Sequence, residues 1–331
     1  MPRPRVYVAR PVFDEALALL RAVADVRVWH DDLPPPYETL FREARDADGL
    51  FTLLTDRIDA PLLDASPRLR VVSNMAVGYN NINVPAATKR GVYVGNTPGV
   101  LTETTAEFTF ALLLGFARRI CESRESVYEG KWRTWAPMGF LGTDLHGATL
   151  GLVGLGRIGQ AVARIARGFD MRVMYYSRTH RPEVAASLGL EFLQSLDKLL
   201  PRADYVSIHV PLTPETWQMF DEPEFRLMKP NAVLINTSRG EVIDQKALYE
   251  ALKAGRIAGA ALDVTDPEPM PANDPLLTLP NVLITPHIAS ASRATRLKMA
   301  TMAAQNIVDA LQGKVPTNCV NPEAAGARRQ A

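Results

Sequence analysis

Three ionisable residues stand directly after apolar runs in the second half of the chain. They are Arg239 in Asn236-Thr-Ser-Arg-Gly240, Glu268 in Asp263-Val-Thr-Asp-Pro-Glu-Pro269 and His287 in Thr285-Pro-His-Ile-Ala289. Their types fit one chemistry. Hydride reduction of a carbonyl needs a proton donor for the forming alkoxide, and an imidazole, with an ordinary pKa near ~6.5, suits that role at neutral pH. A carboxylate beside such a ring orients it and favours its protonated form. A guanidinium grips a substrate carboxylate through two hydrogen bonds and polarises the adjacent carbonyl. Singly, each residue has a plainer reading: a solvated loop arginine, a turn carboxylate, a structural histidine. Placed together on successive strand ends, where open α/β sheets bind their ligands, they point to reduction of a 2-keto acid.

The hydride source is written in Ala148-Thr-Leu-Gly-Leu-Val-Gly154-Leu-Gly156-Arg-Ile-Gly159. An apolar strand runs into three glycines, and an alanine-rich helix begins near Arg157. Gly154 permits the tight turn, Gly156 lets backbone approach a pyrophosphate, and Gly159 lets helix pack close to sheet. The anion then rests on the amides at the helix N-terminus. A second strand, Met171–Tyr176, completes the βαβ unit. NAD-specific sites carry Asp or Glu just after that strand to bind the ribose 2′-hydroxyl. Here the segment is Ser177-Arg178-Thr179, with Arg181 close behind and no acid. Such a segment donates to a 2′-phosphate, so NADP(H) is the preferred cofactor, with NAD(H) the alternative.

Bulk properties bound the rest. The chain has 331 residues, 47% hydrophobic and 22% charged, enough for two cores. A net charge of +1 gives no electrostatic footprint for nucleic acid or a membrane surface. Two cysteines, Cys121 and Cys319, allow neither a disulfide framework nor a cysteine zinc cage, and no metal is expected. The opening residues lack the apolar core of a signal peptide, and no run reaches the roughly 20 apolar residues of a membrane span. A cytoplasmic protein is expected.

The elements that position the chemistry alternate strand and helix throughout. Strands at Arg5–Ala9, Val26–Trp29, Gly49–Leu54, Leu69–Asn74 and Gly91–Gly95 predict a first small parallel sheet. Glu103–Glu129 reads as one long helix for domain or subunit packing. Gly130–Gly142, with Trp132 and Trp135, reads as an extended aromatic arm that either anchors in the core or crosses a dimer. Strands from Thr149 to Thr285 make a second parallel sheet, and Ser292–Leu311 is a closing helix expected to return to the first domain. The polar tail from Glu323 to Ala331 is expected to be disordered. The fold class is therefore α/β with two doubly wound, Rossmann-like sheets.

At this point the sequence resembles the D-isomer-specific 2-hydroxyacid dehydrogenase family. The likeness spans about residues 5–320. It rests on Val153-Gly-Leu-Gly-Arg-Ile-Gly159, His209-Val-Pro-Leu-Thr213, Asn236-Thr-Ser-Arg-Gly240, Leu262-Asp-Val with Glu268-Pro, and Pro286-His-Ile, in that order. The resemblance implies a flavodoxin-like substrate domain of residues 1–97 and 288–331. A dinucleotide-binding domain of residues 98–287 is inserted between them, with the cleft between the two domains. It implies that Arg239 binds substrate, Glu268 partners His287, and His287 is the acid/base. Val77 and Gly78 offer backbone amides to the substrate carboxylate and Leu53 lines the pocket. Thr105, Arg157, Ile158, Pro211, Thr216, Thr237 and Asp263 fall where the family contacts cofactor.

Within the family the chain is most similar to the glyoxylate/hydroxypyruvate reductases. The shared points are Met75-Ala-Val-Gly78, Val100-Leu-Thr-Glu-Thr-Thr-Ala-Glu107 and Trp132…Trp135-Ala-Pro. That likeness implies a homodimer in which Trp135 reaches the partner's site and limits substrate size. One departure is Ala289, where this branch usually has glycine; an added methyl tightens the nicotinamide side. Two other readings stay open. One is another 2-keto acid, or phosphite as in phosphonate dehydrogenases. The second is a dinucleotide-sensing corepressor, which the lack of long tails disfavours.

Overall fold

A computed structural model describes residues 3–328, and the chain divides into two compact units. One runs to Leu101 and resumes at Ser292; the other spans Thr102–Ala291, each border a few residues past the expected one. No helix among the described residues is long and apolar enough to cross a membrane.

The first unit begins with β1 (Arg5–Val8), α1 (Asp14–Val23), β2 (Asp25–Val28), α2 (Tyr37–Asp46) and β3 (Gly49–Thr52). It continues with α3 (Ala60–Asp64), β4 (Val71–Asn74), α4 (Val84–Lys89) and β5 (Tyr93–Gly95). The sheet is parallel with order β2-β1-β3-β4-β5, the flavodoxin-like arrangement. Gly49-Leu-Phe-Thr and Val71-Val-Ser-Asn are buried at every position because helices cover both faces of a parallel sheet.

The closing helix of this unit, Arg293–Leu311, packs on α1 and β4. Glycines allow the close approach: a Cβ on Gly49 would lie 3.0 Å from Ile307, and one on Gly95 would lie 2.8 Å from Asn306. Beyond it the chain stays attached. Asn321, fully buried, accepts from Val94 N at 2.7 Å and donates to Val92 O at 3.0 Å. The expectation of a disordered tail is corrected for Ala324–Arg328, a short helix packed on α4; residues 329–331 lie outside the described residues.

The second unit opens with α5 (Thr102–Ala117) and α6 (Ile120–Tyr128). The expected single helix is therefore broken. Arg119 adopts a left-handed φ of 52°, and the carbonyl of Ala117 is taken by Thr143 N at 2.9 Å. A returning segment thus uses the acceptor at the end of α5. The Rossmann core follows: β6 (Thr149–Val153), α7 (Arg157–Arg167), β7 (Arg172–Tyr176), α8 (Pro182–Leu188), β8 (Glu191–Leu193) and α9 (Leu196–Leu199). Then come β9 (Tyr205–Ile208), α10 (Glu222–Leu227), β10 (Val233–Asn236), α11 (Gln245–Lys253), β11 (Gly259–Leu262) and β12 (Val282–Ile284), with the closing helix of the first unit numbered α12 and the tail helix α13.

This sheet is also parallel, ordered β12-β11-β10-β9-β6-β7-β8. The chain moves outward from β6 to β8, then restarts on the other side at β9. The switch point therefore falls between β6 and β9, where ligands bind in such sheets. Strand β8 and helix α9 have no counterpart in the sequence reading. Three residues and one turn are too short to carry a period.

Candidate active site

The glycine loop joins β6 to α7. Gly154 has a φ of +101°, and a Cβ there would lie 2.6 Å from the carbonyl oxygen of His209. Gly159 sits so close to the loop that its Cβ would lie 2.3 Å from Gly154 O. Gly156, by contrast, has open space where a Cβ would be. Two glycines thus serve packing inside the protein, and the third faces room for a ligand. Arg157 and Ile158 form the first turn of α7 behind it.

After β7, Ser177 is half-buried and Arg178 and Thr179 are exposed. Glu215 lies near enough to Arg178 to feel its charge; hydrogen bonds from Thr213 and the backbone and then that charge hold its carboxyl below the usual range. Pro211 and Thr216 belong to one tight loop, since Thr216 Oγ1 donates to Pro211 O at 2.6 Å. Thr105 and Thr237 are both buried, and the Thr237 hydroxyl is bonded to Thr109 Oγ1 at 3.0 Å.

His209 enters here although its chemistry went unassigned in the sequence. It follows β9 at the switch point, with Nε2 2.9 Å from Ser207 Oγ. Burial pushes its pKa down to about 4, so the ring is neutral at physiological pH. A neutral ring under the glycine loop adds no charge where a dinucleotide would lie.

The three ionisable residues occupy successive strand ends. Arg239 follows β10, and burial draws its guanidinium below its ordinary value, opposed by Glu241 and Glu268. It remains a cation at neutral pH. Gly240 lets the next strand end come close, since a Cβ there would lie 2.0 Å from Thr265 O. Glu268, after β11, places Oε1 2.6 Å from Nδ1 of His287, after β12. The pairing expected from residue types is present.

What holds His287 is Asp263. The histidine has a left-handed φ of 53°, a conformation L-residues adopt rarely outside well-determined sites. Its amide donates to Asp263 O at 2.8 Å. The Asp263 carboxylate, 1% exposed, accepts from Thr285 Oγ1 at 2.7 Å, Ile288 N at 2.8 Å and Ala289 N at 2.7 Å. One buried carboxylate thus gathers the loop on both sides of the histidine. Ala289 is itself buried.

The aromatic arm is exposed within the single chain: Trp132 is 68% and Trp135 80% accessible, with Met138 and Leu141 also open. Anchoring in the chain's own core is therefore excluded for both tryptophans. In the first unit, Leu53 follows β3 and is half-buried, while Val77 and Gly78 form an open loop after β4. Among the described residues, no group of three or more His, Cys, Asp or Glu is placed to hold a metal ion.

Comparison with known proteins adds a second line. The family model described as D-isomer specific 2-hydroxyacid dehydrogenase, NAD binding domain, matches residues 110–289. A glyoxylate reductase of Aeropyrum pernix is 54% identical over 99% of both chains. One of Thermococcus kodakarensis is 48% identical, again over 99% of both. Among solved structures, the TT0316 protein of Thermus thermophilus superposes with a TM-score of 0.90 at 47% identity, over 96% of this chain and 99% of that one. An NADPH-dependent glyoxylate/hydroxypyruvate reductase of Sinorhizobium meliloti, in complex with NADP and malonate, gives 0.85 at 32% identity over 97% and 98%. With an arginine, a glutamate–histidine pair and a glycine loop on one doubly wound sheet, and with this likeness along its length, the chain belongs to the D-isomer-specific 2-hydroxyacid dehydrogenase family.

Proposed function

We propose that the protein is a nicotinamide-dependent reductase of small 2-keto acids, converting glyoxylate to glycolate and hydroxypyruvate to D-glycerate. The observation that carries this reading is the Glu268–His287 pair, 2.6 Å apart, at the carboxyl edge of the sheet that holds the glycine loop. The names of these relatives support the substrate class.

When bound, the reduced dinucleotide supplies a hydride to the keto carbon. The residues do the rest. The open space at Gly156 and the N-terminus of α7 accept the pyrophosphate. Arg157, Ile158, Pro211, Thr216, Thr105, Thr237 and Asp263 shape the remainder of that site. Arg239 pairs with the substrate carboxylate and draws electron density from the adjacent carbonyl. In the first unit, Val77 and Gly78 offer backbone N–H groups to a substrate carboxylate, with Leu53 as a pocket-lining residue. With Nδ1 held by Glu268, His287 uses Nε2 to pass its proton to the carbonyl oxygen as the hydroxyl forms. Glu268 stabilises the imidazolium before transfer and keeps the ring in place.

Ser177, Arg178 and Thr179 favour NADPH over NADH, for they supply donors and a positive charge and no carboxylate. The exposed Trp132–Leu141 arm is read as a homodimer contact, with Trp135 closing the partner's pocket. The first unit is assigned to substrate and the second to cofactor, in a cytoplasmic enzyme.

The decisive assay follows the fall in NADPH absorbance with glyoxylate, run beside NADH. Rapid oxidation that favours NADPH is the expected result. Turnover that favours NADH overturns the cofactor assignment alone. Absence of turnover with either overturns the substrate class and directs the search to larger keto acids or phosphite.

A further inference from the structure

The loop of Val77 and Gly78 is held by a set of asparagine side chains that no part of the proposed reaction uses. Three successive carbonyls are each taken by a donor of the first unit. Ala76 O accepts from Thr97 N at 2.8 Å, Val77 O from Asn96 Nδ2 at 2.9 Å and Gly78 O from Asn74 Nδ2 at 3.0 Å. In a planar trans peptide the N–H of the next residue points opposite to the carbonyl. Each of the N–H groups of Val77, Gly78 and Tyr79 is therefore directed away from the donor that holds its own peptide's carbonyl. Amides whose carbonyls are held from behind are left to face an anion.

The same network reaches the neighbouring loop. Asn74 is fully buried; its Oδ1 accepts from Thr52 Oγ1 at 3.1 Å and its Nδ2 also donates to Asn81 Oδ1 at 3.1 Å. Asn81 Nδ2 in turn donates to Leu53 O at 3.0 Å and Asp56 O at 2.8 Å. Leu53 N donates to Asp56 Oδ2 at 2.7 Å. The loops after β3 and β4 are thereby tied to one another, side-chain amide to backbone carbonyl. An asparagine suits each position because its amide donates two hydrogen bonds and accepts others without adding charge beside an anion site.

We propose that Asn74, Asn81 and Asn96 are positioning residues that aim the Val77–Gly78 amides at the substrate carboxylate and fix Leu53 beside them. This rests on the assignment of Val77 and Gly78 to the substrate. Uniform loss of carboxylate binding raises KM with less effect on kcat. The test uses full-length Asn81→Ala and Asn96→Ala proteins, which act on different carbonyls, because Asn74→Ala is buried deeply enough to prevent folding. Steady-state kinetics with glyoxylate, NADPH binding by fluorescence titration and thermal melting are compared with wild type.

The expected result is a KM for glyoxylate raised about tenfold in each variant, with kcat changed less than about threefold and NADPH affinity kept. Unchanged KM in both variants, with an active wild type, overturns the proposal alone. A parallel fall of kcat, NADPH affinity and melting temperature also overturns it, since that is the mark of a merely structural network. A wild type that does not turn over glyoxylate overturns the reaction assigned above and the positioning role with it.

Discussion

Asp56 allows a quantitative prediction. It is 2% exposed, with Oδ2 accepting from Leu53 N at 2.7 Å and Oδ1 buried without a hydrogen bond, 3.6 Å from Nη1 of Arg10. Burial raises its pKa from 3.8 to about 6, against the lowering effects of the Leu53 hydrogen bond and Arg10. The folded state therefore holds this proton more tightly than the unfolded chain. That advantage is complete below the unfolded value and is lost as pH rises through about 6. At ~1.4 kcal/mol per pKa unit, it amounts to about 3 kcal/mol. Asp56→Asn keeps the shape and an acceptor for Leu53 N but cannot ionise. Facing an amide toward Arg10 costs it a fixed amount at every pH, so only the pH dependence of the difference is diagnostic. Thermal melting of both proteins from about pH 3 to 8 measures it. The variant gains on wild type by about 3 kcal/mol across that window, or about 6–12 °C in the first unit's transition. Melting curves that stay parallel would refute the argument that burial governs this carboxyl.

Three further outcomes are expected. His287→Ala lowers kcat by about 10² to 10⁴ while NADPH still binds, read by single-turnover kinetics and fluorescence titration; retained turnover removes the residue from the proton transfer. Ser177→Asp sets a carboxylate where a 2′-phosphate would lie, and the kcat/KM ratio of NADPH to NADH falls more than about tenfold. An unchanged ratio would sink the cofactor assignment. Gly159→Ala forces a methyl to within 2.3 Å of Gly154 O, so α7 must shift. About 1–3 kcal/mol of stability is lost together with dinucleotide affinity, as calorimetry in both modes would show.

Much of the frame was legible in one dimension because its causes are local. Buried parallel strands are continuous apolar runs, and the helices between them carry their own period, so most elements stand within a residue or two of where the pattern puts them. The glycines announce themselves by their spacing between an apolar strand and a helix. Arg239, Glu268 and His287 stood out because each follows a strand, and the parallel topology lines up such ends on one edge.

What the sequence left open depends on partners distant along the chain. Helix α5 stops at Ala117 because Thr143 returns to take its carbonyl. The tail helix forms where Asn321 has already bound the edge of β5. Nothing near Asp263 says that its carboxylate collects three donors from the histidine loop, and nothing near Asn74 says that its amide meets Gly78 and Asn81. Residue types and their periods determined the fold class, the strand ends and which ionisable residues stand beyond them. Tertiary structure alone decided which polar groups are buried, and hence which loops are held, because a hydrogen bond between distant segments leaves no period in the sequence.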